Sequence, residues 1–225
     1  LILKGIMMNN LNLYGHLLTY PTTELVTSLS SFRSRLNVGR QCSQKSKIRL
    51  GKLIDWMANQ ELIDLEEHYV ALFDQTPSLS LHLFEHIHGD SLERGGALVD
   101  LNELYRASGL IPITNETSDY LPLFFEFLST LEFTEMASHL DNIVDLLSVI
   151  EIRLTRRQSP YAYVFAPIIA LANRKPDSSI IKSAMLSSDG AKVTLNELDQ
   201  KWSEPAAFGN LSGLDLNTAS KCLED

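Results

Sequence analysis

Apolar residues recur along this chain with helical spacing. Leu25, Leu29, Phe32 and Leu36 fall at i, i+4, i+7 and i+11, and Leu62, Leu65, Tyr69 and Leu72 follow Glu61 with similar spacing. Residues three and four apart share one helix face, so each set predicts an amphipathic helix. Leu98, Leu101, Leu104 and Tyr105 predict another, with Gly109 as its C-terminal stop. Asp119 stands where an N-cap belongs. Pro122 falls in the first turn behind it, and Leu121, Phe124, Phe125, Leu128 and Leu131 continue the helical pattern. Leu140, Ile143, Leu147 and Ile150 predict a long helix from Thr134 to Arg157. Ser159–Pro160 reads as an N-cap and N1 proline that open a helix from Tyr161 to Asn173, which Pro167 should kink or end.

Strand patterning is confined to Leu79-Ser80-Leu81-His82-Leu83, which alternates with period two. With no second strand to pair, this run reads as an extended connector or the start of a helix. Long Gly/Pro linkers and internal repeats are absent from the sequence. The expected fold is all-α, a single-domain helical bundle of about seven to nine helices over residues 1–225. Residues 1–8 read as a start-site artefact or a disordered lead, and about 204–225 as a frayed tail.

Composition narrows the class. At 225 residues the chain is long enough to bury a core without metal or disulfide staples. No apolar run approaches the ~20 residues that span a bilayer, so stable membrane insertion is not expected. The net charge of −9 argues against a nucleic-acid partner and for a basic or apolar peptide. Cys42 and Cys222 form no zinc or redox spacing and read as free thiols of a reducing compartment, with a long-range disulfide as the lesser reading. One stretch runs against the acidic balance. Residues 33–52 hold Arg33, Arg35, Arg40, Lys45, Lys47, Arg49 and Lys52 and no acidic residue. That is either a solvated helix end and loop or a contact for an anion or lipid headgroup.

Three of the six histidines, His82, His86 and His88, lie within seven residues. His82-Leu83-Phe84-Glu85-His86 matches the H-x-x-E-H pattern of inverted zinc proteases, in which the two histidines share a helix face and the glutamate is the general base. The pattern fixes only three residues and needs a third ligand that nothing in the sequence singles out. The plainer reading is histidines that hydrogen-bond within a packed surface or groove. Phosphate loops, nucleophile elbows and cysteine–histidine pairs are absent from the sequence.

Two blocks carry a family resemblance. The first comprises Tyr69-Val70-Ala71-Leu72-Phe73-Asp74, Ser80 through Gly89, Arg94-Gly95 and Val99-Asp100-Leu101. The second is Glu116 followed by Asp119-Tyr120-Leu121-Pro122 and Glu126-Phe127-Leu128. Together they resemble the signature of the NarJ family, the nitrate reductase molybdenum-cofactor assembly chaperones, within the wider TorD-like group. The chain departs from the pattern at Leu92, at Thr117-Ser118 and at Tyr120, where many relatives have histidine.

The resemblance implies an all-helical chaperone of the cytoplasm with no catalysis of its own. Its expected partner is the N-terminal segment of the nitrate reductase catalytic (alpha) subunit, with cofactor-biosynthesis proteins as further candidates. The molybdenum cofactor would be handled only through the client, with no cofactor or metal bound tightly by this chain. A short amphipathic peptide is best held in an apolar groove with a few polar anchors. Tyr69, Phe73, Phe84, Tyr120, Phe124 and Pro122 are candidates for the groove, although Phe73 and Phe124 read equally as core. Asp74, Glu85 and Asp119 are candidate acceptors for the peptide, and Asp119 competes as a helix cap. His82, His86 and His88 are candidate titrating contacts. Arg94 is either a contact or an internal partner of Glu85 or Asp90. The alternatives are a chaperone for a dimethyl sulfoxide or trimethylamine oxide reductase, and an H-x-x-E-H zinc hydrolase.

Overall fold

A computed structural model describes residues 10–38, 42–87, 93–113 and 115–186. These carry ten α-helices and no β-strand: α1 (Leu11–His16), α2 (Thr23–Val38), α3 (Gln44–Ala58), α4 (Leu62–Tyr69), α5 (Leu83–Ile87), α6 (Glu93–Ala107), α7 (Leu121–Ser129), α8 (Phe133–Arg156), α9 (Ala162–Ile169) and α10 (Ser178–Leu186). The all-α expectation holds. The helix number exceeds seven to nine because α1 and α5, with six and five residues, are too short to show a period.

The longest helix, α8, buries Met136, Leu140, Ile143, Leu147, Ile150 and Leu154 along one stripe. α9 and α10 pack on α8, α9 also meets α3, and α3 lies on α2. α10 and the chain leading into it are tied down by Asp145, a buried carboxylate of α8. It takes a forked pair of hydrogen bonds from Arg174 (2.7 and 3.2 Å) and another from the Asp177 N–H. On the other flank α1 packs on α7. Gly15 permits that approach: a Cβ there would sit 2.9 Å from the Pro122 carbonyl oxygen.

α4 does not stop at Tyr69 but widens into a π-helical turn over Val70–Asp74, followed by a 3-10 turn at Pro77–Leu79. The turn buries Phe73 and leaves Asp74 exposed. Gly109 ends α6 as expected, at φ +75°, with the Gly109 N–H on the Arg106 carbonyl and the Leu110 N–H on the Tyr105 carbonyl. That pairing is a Schellman cap.

Several local expectations are corrected. Asp119 does not cap α7; Tyr120 holds the N-cap position and its side chain makes no capping bond. Ser159 does not cap α9 either. Its hydroxyl is buried without a partner, and the helix begins at Ala162. α9 passes through Pro167 and ends two residues later, at Ile169. The Leu79–Leu83 run is indeed a connector into a helix, but it does find a partner: His82 and Tyr120 form a single antiparallel bridge. Cys42 is buried and free. The expectations placed on residues 1–8, Arg40, His88, Asp90, Leu92, Cys222 and 204–225 lie outside the described residues.

Candidate functional site

The two sequence blocks meet at the His82–Tyr120 bridge. The Leu121 N–H donates to the Leu81 carbonyl at 2.8 Å, and the Leu83 N–H donates to the Asp119 carbonyl at 3.0 Å. The Asp119 side chain, 0% exposed, then accepts from the Phe84 N–H at 2.9 Å. Asp119 therefore caps α5, thirty-five residues earlier in the chain, with both its backbone and its carboxylate. The Thr117 hydroxyl donates to the second carboxylate oxygen. The His82 Nδ1 lies 3.0 Å from the Thr117 hydroxyl and 3.5 Å from Asp119, while its Nε2 faces Glu116 at 3.7 Å.

This arrangement sets the charges. Burial disfavours the Asp119 carboxylate, but the His82 and Thr117 hydrogen bonds and the Phe84 N–H outweigh it and hold the carboxyl below its ordinary pKa. The hydrogen bond to Asp119 raises His82 above the ordinary imidazole value despite burial, with Glu85 and Glu116 adding to the pull. A raised histidine stabilises the fold fully below the unfolded-state pKa, about 6.5, and that contribution is lost as pH rises through the folded-state value. A depressed carboxyl contributes above the unfolded-state value of about 3.9 and loses its effect as pH falls through the folded one. The pair therefore contributes most between about pH 4 and 6.5. His82→Gln should accordingly narrow its stability deficit between pH 5.5 and pH 8.5 in paired urea melts. An equal deficit at both values would show that the pair carries no such linkage.

His86 behaves oppositely. It is buried, its Nε2 lies 2.8 Å from the Ser80 carbonyl, and burial pushes its pKa down. His82 precedes α5, so the two rings do not share a helix face, and each faces different groups. This corrects the H-x-x-E-H reading. Among the described residues no three His, Cys, Asp or Glu side chains group as metal ligands.

The Tyr120 ring stacks at a tilt against His82, with ring centroids 5.3 Å apart. Its hydroxyl meets the Tyr69 hydroxyl at 2.8 Å, and both reach the Leu18 carbonyl, at 3.1 Å from Tyr69 and 3.4 Å from Tyr120. Burial pushes Tyr69 well above the ordinary phenol value and Tyr120 to about 12, so neither ionises near neutrality.

Beyond Tyr120 the surface opens into two adjoining pockets along α7. One, of about 160 Å³, lies between α1 and α7 and is lined by Asn12, Gly15, His16, Thr19, Tyr120, Pro122, Leu123 and Glu126. The other, of about 290 Å³, is lined by Tyr105, Leu110, Ile111, Pro112, Ile113, Phe127 and the same Leu123 and Glu126. Leu123 and Glu126 thus form a shared wall in one groove. At its outer rim Ile111 is 77% and Ile113 98% exposed. These are large apolar side chains open to solvent beside a concave surface.

The expected site residues divide accordingly. Tyr120 and Pro122 line the groove. Tyr69, Phe73, Phe84 and Phe124 lie in the core beneath or beside it. Asp74 is exposed, outside both pockets. Glu85 is exposed and pairs with Arg94 at 3.3 Å, as the plainer reading had it. Asp119 and His82 organise the junction behind the groove. Sequence reasoning missed the contribution of α1 and of Leu110–Ile113. The latter had a usable signal, an apolar run directly after a helix stop.

Comparisons with known proteins agree with these blocks. The profile of the family described as nitrate reductase delta subunit matches residues 42–167. The chain is 31% identical over 197 residues to the nitrate reductase molybdenum cofactor assembly chaperone NarJ of Escherichia coli K12, covering 88% of this chain and 83% of that one. It is 33% identical over 148 residues to the probable assembly chaperone NarW of the same strain, covering 66% of this chain and 64% of that one. A probable NarJ of Bacillus subtilis is 31% identical over 160 residues, covering 68% of this chain and 83% of that one. These relatives are named as assembly chaperones and not as catalysts.

Proposed function

The chain belongs to the nitrate reductase delta subunit family, and from that membership we propose that it is a chaperone for nitrate reductase maturation, whose α7 groove holds the N-terminal segment of the catalytic (alpha) subunit. The groove carries this reading. It offers Leu123, Pro122, Ile111 and Ile113 to apolar side chains and Glu126 to a cation, which suits a short amphipathic basic segment. A net charge of −9 favours the same kind of ligand. The chain works by reversible capture, without covalent chemistry. By binding the client's folding-competent form it stabilises that form by mass action and keeps it in the cytoplasm until the molybdenum cofactor is inserted and membrane docking follows. The cofactor belongs to the client.

Client specificity is tested by calorimetric titration with three peptides: the first residues of the same organism's nitrate reductase alpha subunit, a scrambled copy, and the matching segment of another molybdenum reductase. The expected result is binding of the first at micromolar affinity or better, about −8 kcal/mol, and at least about 10-fold weaker binding of the others, a difference of about 1.4 kcal/mol. Tighter binding of the segment from a dimethyl sulfoxide or trimethylamine oxide reductase would reassign the client. Equal binding of the scrambled copy would refute recognition of a specific segment.

A further inference from the structure

The basic stretch of residues 33–52 is not absorbed by the groove or by the core. α3 turns Leu50, Leu53, Ile54 and Met57 inward. Lys45, Ile48, Arg49 and Lys52 share the opposite face, at i, i+3, i+4 and i+7. Lys45 and Lys52 are exposed, Arg35 of the adjacent α2 is half-buried, none of the three makes an ion pair among the described residues, and the first turn of α3 contains no acidic residue. Ile48, amid these cations, is 54% exposed. Arg33 borders this face without adding net charge to it: its guanidinium lies across Gly51, where any Cβ would overlap it, and pairs with the exposed Asp55 at 3.3 Å. Arg49 lies over the Tyr163 ring at 5.9 Å. An apolar side chain flanked by the exposed Lys45 and Lys52, on a chain that is otherwise strongly acidic, suits a flat anionic surface that takes the cations at its headgroups and the isoleucine between them.

We propose that the exposed face of α3 docks this protein peripherally on an anionic phospholipid surface. Charge complementarity and the placement of Ile48 favour a lipid surface over an acidic protein. Nothing inserts beyond Ile48, because the rest of α3's apolar face is committed to the core. The contact is orienting, reversible and sensitive to salt.

Flotation of the full chain with vesicles tests this. Vesicles of phosphatidylcholine with 30% phosphatidylglycerol are compared with phosphatidylcholine alone. K45E/K52E is compared with wild type and with R106E/K182E, a matched charge change at exposed positions on α6 and α10. Far-UV circular dichroism establishes that each variant is folded. The expected result is binding to the anionic vesicles that disappears at 0.5 M salt, falls at least about tenfold in K45E/K52E, and changes less than about twofold in R106E/K182E. I48S should weaken binding while leaving its salt dependence in place. Free inorganic phosphate at 5 mM should not compete. Absence of binding to anionic vesicles at low salt overturns the proposal, as does an equal loss in both charge variants. Competition by free phosphate would move the site from a lipid surface to a small anion, and also overturns it.

Discussion

Replacing Asp119 with alanine should lower stability by about 3 kcal/mol, the range for removing one partner of a buried, hydrogen-bonded charge pair. The substitution removes the Asp119 oxygen that accepts from the Phe84 N–H at the start of α5, leaves the Thr117 hydroxyl with His82 alone of its two side-chain partners and removes the counter-charge beside His82. For a chain of this size that is a fall in Tm of about 6–12 °C. Asp119→Asn keeps an oxygen for the Phe84 N–H but loses the charge, so its deficit should be about half as large. Thermal melts of the two variants at pH 6 read the difference. Equal stability of wild type and the alanine variant would mean that Asp119 does not anchor α5. The effect should reach the groove as well, because the same bridge sets Tyr120, which lines the smaller pocket.

The second large effect is expected at Gly15. A methyl group there meets the Pro122 backbone oxygen at 2.9 Å, and backbone cannot rotate away as a side-chain tip can. Gly15→Ala must separate α1 from α7, at a cost of about 1–3 kcal/mol for overpacking. Since α1 and α7 form the two walls of the smaller pocket, peptide affinity should fall along with stability. Parallel melts and titrations would show both losses. A stable variant with unchanged affinity would place the client elsewhere.

How much of this was legible in the sequence follows from how local each feature is. α2, α6 and α8 were readable because their apolar stripes run over several turns, and the Gly109 stop because a Schellman cap is written in six consecutive residues. Asp119 was singled out as a cap, but capping partners are chosen in space: its carboxylate went to α5 across the bridge, and Tyr120 took the expected position on α7. His82 and His86 matched a metal pattern whose helix starts one residue too late to hold them on one face. Tyr69, Phe73 and Phe84 were chosen for residue type, and type alone does not separate a groove lining from the core that supports it. Gly15 and the Leu110–Ile113 rim gave no hint that they border neighbouring pockets, since a groove formed by α1, α7 and a loop between α6 and α7 exists only after folding.

The proposed seat of the client segment is the α7 groove, whose two pockets share Leu123 as a wall. The most direct measurement is a calorimetric titration of wild type and Leu123→Asp with the nitrate reductase alpha-subunit N-terminal peptide, each protein having first been shown by thermal melting to be folded. Leu123 is only partly buried, so the variant should keep its fold. It should bind at least about 30-fold more weakly, as expected for a buried contact worth about 2 kcal/mol. Unchanged affinity in a folded Leu123→Asp variant would contradict the account.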